Sequence, residues 1–119
     1  MDEKIINIAQ EVGLNDNNCP VTYCLKKIGG KWKPIIIFMI RNGANRFGIM
    51  QRSIEGISKQ MLTKQLRELE ADGILDRTIY AEIPPRVEYS ITDYGETLMP
   101  IIDSMSAWGR EQIASNKPV

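Results

Sequence analysis

Apolar positions along this chain switch from helical spacing to alternation and back, and the switches divide it into elements. Residues 2–12 place Ile5, Ile6, Ala9 and Val12 on one side of a short helix that Gly13 would close. The polar loop Asn15-Asp16-Asn17-Asn18 follows, and then Cys19-Pro20 opens a helix to about residue 28, because proline is favoured at the first helical position. Gly29-Gly30 stops it. Residues 31–41 carry Trp32, Ile35, Ile36, Phe38, Met39 and Ile40 around most of a helical circumference, which predicts a central core helix. A third, short helix over 46–53 would turn Phe47, Ile49, Met50 and Ile54 inward. Ser58 then caps a longer helix over 59–72, with Gly73 as its stop.

Beyond Gly73 the period becomes two. Residues 74–82 and 86–91 read as strands joined at Ile83-Pro84-Pro85, with Val87, Tyr89 and Ile91 facing the core and Arg86, Glu88 and Ser90 facing away. Thr92 caps a last helix over 93–113, with Asp93 and Glu96 in the first turn, where the helix dipole favours acids. Its stripe is Leu98, Ile101, Ile102, Met105 and Trp108. A short helix, a glycine-containing turn, a longer capped helix and then a hairpin give an α+β class of winged helix-turn-helix type, mostly helical with a two-stranded wing.

The helix over 59–72 carries the chemistry. At 100° per residue, Leu62, Leu66 and Leu69 share one face, and Gln60, Lys64 and Arg67 share the opposite one, with Thr63 and Lys59 toward an edge. Amide, ammonium, guanidinium and hydroxyl groups are the ones that read base edges. Glu68, Glu70 and Asp72 lie at the far end, away from the N-terminal turns through which such helices touch bases. Ser58 and the free N–H groups of the first turn are suited to hold a phosphate. At the hairpin, a stiff Pro84-Pro85 followed by Arg86 suits a minor-groove contact.

Charge sharpens this picture. The 119 residues sum to zero, yet residues 26–67 hold ten lysines and arginines against the single acid Glu55, a net +9, flanked by −3 before and −6 after. A basic middle between acidic ends predicts a polarised surface whose natural partner is a phosphate backbone. The chain has no histidine, no phosphate-binding glycine loop and no metal-ligand constellation, which argues against an enzyme, a metal or a cofactor. No apolar run approaches a membrane span, and no cleavable signal is present. With two cysteines, the expected home is the reducing cytoplasm. The expected partner is double-stranded DNA, read in sequence. A non-specific architectural DNA binder and a winged helix used for protein contact are the alternatives.

Several segments, in this order, resemble the HxlR-type winged-helix transcriptional regulators. They are Cys19-Pro20-Val21, Gly30-Lys31-Trp32, Arg46-Phe47, Ile57 through Thr63, Leu66 through Gly73, and Pro84 through Ser90. The resemblance covers residues 19–109 of a single domain, leaving 1–18 as an N-terminal extension and 93–113 as a C-terminal dimerisation helix. It implies a homodimer on a near-palindromic operator, built from the N- and C-terminal helices. Candidate interface residues are Val21, Leu25, Leu98, Ile101, Ile102, Met105 and Trp108. Arg46 joins the candidate DNA contacts. Several members of this family sense oxidants through a cysteine in the Cys-Pro-Val position, which makes Cys19 a candidate thiol sensor. A helix N-cap lowers a thiol pKa, and Lys26 and Lys27 lie on the same helix. Cys24 reads as a small buried hydrophobe. The two cysteines stand about 140° apart around the helix, so a disulfide between them would need unwinding.

Overall fold

Capping residues and the leucine period set the helices where the pattern puts them. The computed structural model describes residues 13–15 and 18–116, so the helix expected over 2–12 lies outside the described residues. The elements are α1 (Pro20–Ile28), α2 (Trp32–Arg41), α3 (Phe47–Ser53), α4 (Lys59–Ala71), β1 (Leu75–Tyr80), β2 (Arg86–Ile91), α5 (Asp93–Glu96) and α6 (Met99–Ser115). The chain divides between Gly30 and Lys31 into two compact units.

In the first unit, α1 starts at Cys19, whose sulfur accepts from the Thr22 N–H at 3.5 Å. It ends where the Gly29 N–H donates to the Leu25 carbonyl.

The second unit is built on α2. Ile36, Ile37 and Ile40 are buried, and α2 packs against α4 and β2. The core is completed by Met50 and Ile54 beside α3, Ile57, the α4 leucines Leu62, Leu66 and Leu69, and then Ile74, Leu75, Tyr89, Met99 and Ile102. Each of these side chains contributes on the order of 2 kcal/mol by leaving water. α2 is not buried all round: Phe38 is exposed and Ile35 half-buried.

Between α3 and α4, Gly56 takes φ +87°, a left-handed turn that L side chains rarely adopt, with the Trp32 ring 3.9 Å from where a Cβ would stand. The sheet is the antiparallel pair β1–β2, running from Leu75 opposite Ile91 to Tyr80 opposite Arg86. An extra rung comes from the loop before α3, where the Asn45 carbonyl accepts from the Tyr89 N–H at 2.9 Å.

Three expectations change. Ile49 points outward and is exposed, because α3 is only two turns long and Met50 with Ile54 fills its inner side. The strand after Gly73 ends at Tyr80, short of residue 82, and on β2 only Tyr89 is fully buried. The last helix is interrupted: α5 ends at Glu96, a turn follows, and α6 begins at Met99 with Pro100 in its first turn. Pro100 has no N–H to donate to residue 96, so a continuous helix would lose a hydrogen bond there and clash as well.

The junction behind the wing is tightly knotted. Thr92 Oγ1 donates to the carbonyls of Gly73 and Ile74 and accepts from the Gly95 N–H at 2.9 Å. A Cβ at Gly95 would collide with the Ile74 carbonyl oxygen and stand 2.8 Å from Ile91 Cγ2. Gly95→Ala is therefore expected to cost about 2 kcal/mol, the scale of overpacking in a close-packed site. A urea titration should show the midpoint fall with little change in slope, and an unchanged midpoint would refute the clash.

Candidate nucleic-acid interface

The face of α4 opposite its leucine seam is the most complete candidate site. Ser58 caps the helix as expected, its Oγ accepting from the Met61 N–H at 3.0 Å. Leu62, Leu66 and Leu69 are buried almost completely, which fixes the rotation of the helix and leaves Lys59, Gln60, Lys64 and Arg67 exposed, with Thr63 half-buried. Lys59, Gln60, Thr63, Lys64, Arg67 and Glu68 together line one shallow concavity. Among the described residues, no ion pair engages Lys59, Lys64 or Arg67. The side chains predicted to read bases are thus brought together on one rigid element with their charges unspent. Glu68 is the addition, because the sequence analysis placed it away from the contact face.

Arg86, the candidate minor-groove contact, is the first residue of β2 as its strand range implied, and its guanidinium is engaged within the hairpin. Its Nε lies 2.7 Å from Glu82 Oε2 and its Nη1 2.6 Å from Glu88 Oε2, and its guanidinium stacks over the Tyr80 ring at 3.9 Å. Arg86, backed by Arg46, holds the Glu88 carboxyl below the usual range against the opposing effect of desolvation. The tip itself carries Ile83, fully exposed, beside Pro84 and Pro85. Arg46 stands as N-cap of α3 with its Nη2 3.2 Å from Glu88 Oε2 and half of its side chain exposed. Arg46 and Arg86 thus share one carboxylate on β2, through which Arg46 ties the strand to the start of α3. Reaching a phosphate would require either to leave that carboxylate.

In the first unit, Cys19 sits at the N-cap of α1, and its thiol pKa is lowered from the ordinary 9.0. The cause is local: hydrogen bonding from the Thr22 side chain first, then the Thr22 backbone N–H, with desolvation opposing. Lys26 and Lys27 lie in the last turn of the helix, and neither figures among these causes, because they sit two turns away. Cys24 is half-buried rather than buried, and both thiols are free.

The stripe on the last helix divides. Ile102 is buried in the core and Leu98 half-buried, whereas Ile101, Met105 and Trp108 are exposed, Trp108 at 68%. Alongside them runs an open apolar groove between α2 and α6, lined by Pro34, Ile35, Phe38, Met105, Gly109 and Ile113 among others. A separate link between α2 and α6 is Arg41, whose Nη1 lies 2.8 Å from both carboxylate oxygens of Asp103. The α2 side of this groove was hidden in sequence, because Phe38 and Ile35 read as core. On α1, Val21 and Leu25 are exposed.

Among the described residues there is no cluster of three potential metal ligands and no helix long and apolar enough to cross a membrane.

Comparison with known proteins gives a consistent result. Residues 27–117 match the HxlR-like helix-turn-helix family. The chain is 50% identical over 95 residues to the uncharacterized HTH-type transcriptional regulator YybR of Bacillus subtilis strain 168, covering 80% of this chain and 76% of that one. Among solved structures, the redox regulator HypR in its oxidized form aligns with a TM-score of 0.76 at 48% identity, covering 85% of this chain and all of the other. The putative HTH-type transcriptional regulator ytcD aligns at 0.75 and 43% identity, covering 81% and 98%.

The cap geometry makes a pH prediction. A depressed thiol pKa leaves more thiolate at a given pH below the ordinary value, so Cys19 alkylation should climb with pH and reach its plateau at a lower pH than an ordinary thiol does. Thr22→Ala should move the Cys19 profile back up. Iodoacetamide labelling followed by peptide mass spectrometry across pH 6 to 10 (roughly the span of perturbed and free thiols) resolves the two sites. Superimposable profiles would remove the argument.

Proposed function

The chain belongs to the HxlR-like helix-turn-helix family, a winged-helix DNA-binding transcriptional regulator rather than an enzyme, and from that premise we propose that it acts as a homodimer on a near-palindromic operator. The observation that carries the reading is the unpaired, co-directed set Lys59, Gln60, Thr63, Lys64 and Arg67 on a helix whose rotation the leucine seam fixes. The first turns of α4 enter the major groove. Gln60 suits adenine, Lys64 and Arg67 suit guanine, and Thr63 suits either purine or a thymine methyl. Ser58 and the helix N-terminus hold phosphates, and Arg46 joins them by leaving Glu88.

The second copy supplies the symmetry that a two-fold operator needs, with half-sites about 34 Å apart or a multiple of that. Exposed Ile101, Met105 and Trp108 with the adjoining α2–α6 groove are apolar surface of the kind that a second subunit covers, and Val21 and Leu25 are exposed apolar side chains of α1 in the other unit. Modulation through the Cys19 thiol rests on its lowered pKa and on likeness to a protein described as a redox regulator. Its forms compatible with the helix are a link to another subunit or an adduct with a small thiol.

The primary experiment compares binding to a labelled duplex from upstream of the protein's own gene with binding to a scrambled duplex, at salt from about 50 to 200 mM. Preference for the first that survives the higher salt is expected, whereas equal and steeply salt-sensitive binding would favour an architectural binder. Lys64→Ala or Arg67→Ala should each cost about 1–3 kcal/mol and relax base preference where it reads a base. For the assembly, Trp108→Asp or Met105→Asp should shift sedimentation from dimer to monomer without loss of helical circular dichroism. A dimer that persists in both variants would move the interface elsewhere.

A further inference from the structure

Lys33 is the one buried charged side chain among the described residues, and its partner stands on the reading helix. It lies in the first turn of α2, and its Nζ is 3.1 Å from Glu68 Oε1, with side-chain exposures of 10% and 40%. A buried ammonium without a counter-charge is costly, so the pair keeps the more exposed Glu68 carboxylate drawn to the fixed Lys33.

Glu68 has two further neighbours on α4. It follows Lys64 by four residues, about 40° around the helix, and immediately follows Arg67. Helical side chains lean toward the N-terminus, so that of Glu68 is directed over the turn that carries Lys64. It also lines the same concavity as Gln60, Thr63, Lys64 and Arg67. A free carboxylate there would repel phosphate and compete with DNA for Lys64. We propose that Lys33 is a positioning residue for DNA binding: by holding Glu68, it cancels the one acid on the reading face and keeps Lys64 available. This rests on α4 being the DNA-reading helix.

The test is a double-mutant cycle on the full chain, using the labelled upstream duplex and a scrambled one, with thermal melting of every variant. Lys33→Met should weaken binding to both duplexes about fivefold at roughly 0.1 M salt and flatten the dependence of log K on log salt by about one, the signature of one lost phosphate contact. Glu68→Gln alone should bind at least as tightly as the parent. The double variant, Lys33→Met with Glu68→Gln, should recover both affinity and slope. Replacing both partners of a buried pair can also restore stability, so the recovery speaks for positioning when affinity and slope change between variants whose melting temperatures match.

A double variant as weak as Lys33→Met would overturn the proposal, as would a Lys33→Met protein that binds like the parent. Weakened binding by Glu68→Gln alone would also overturn it, because Glu68 would then contact DNA itself. Lys33→Gln, shorter and uncharged, carries the same expectations should Lys33→Met fail to fold. Lys64→Ala separates the two levels. If it leaves binding unchanged, α4 is not the reading helix. If it weakens binding while the double variant fails to recover, the reading stands and the role of Lys33 falls.

Discussion

Burial of Leu62, Leu66 and Leu69 against α2 and α3 is the constraint on which the rest depends. Three leucines at helical spacing admit one rotation of α4, and that rotation decides which five polar side chains meet solvent together. The Ser58 cap and the Gly56 turn settle where the helix begins and from what direction it is entered. Everything chemical about the presented face follows from apolar contacts on the hidden one.

The basic character of the middle of the chain is distributed unevenly once folded. Arg41 is paired with Asp103, Arg46 and Arg86 with Glu88, and Lys33 with Glu68. Lys59, Lys64 and Arg67 keep their charge unpaired among the described residues. The overall +9 of residues 26–67 is therefore a poor guide to how many cations a phosphate backbone would meet. The acids that balance the chain act locally, and they neutralise the wing more than the helix.

Much of this was legible in the sequence, wherever the determining contacts are local. Ser58, Thr92 and Cys19 as caps and the leucine period of α4 all involve residues within a few positions of one another. Sequence reasoning failed where a distant residue decides. The Lys33–Glu68 pair spans 35 positions; the partners of Arg86 are near in sequence, but only the hairpin register brings Tyr80 opposite it, which a count of basic residues does not reveal. The break before α6 was locally readable, since Pro100 carries the signal, but the apolar stripe from Leu98 onward outweighed it. Phe38 and Ile35 misled for a different reason: hydrophobicity reports what should be covered and says nothing about whether the same chain covers it.

The exposed side chains of the first two turns of α4 make few demands on the fold. Gln60 and Lys64 contribute neither core packing nor capping, while the seam, the cap and the turn that orient them are carried by other residues. Substitutions at these two positions are therefore nearly free of a stability cost, which lets the presented chemistry diverge between descendants of one gene while the scaffold stays constant. Position 68 lacks that freedom, since its acid is tied to a lysine in the interior. A lineage could rewrite the start of the helix one residue at a time, but would have to change its third turn in matched pairs.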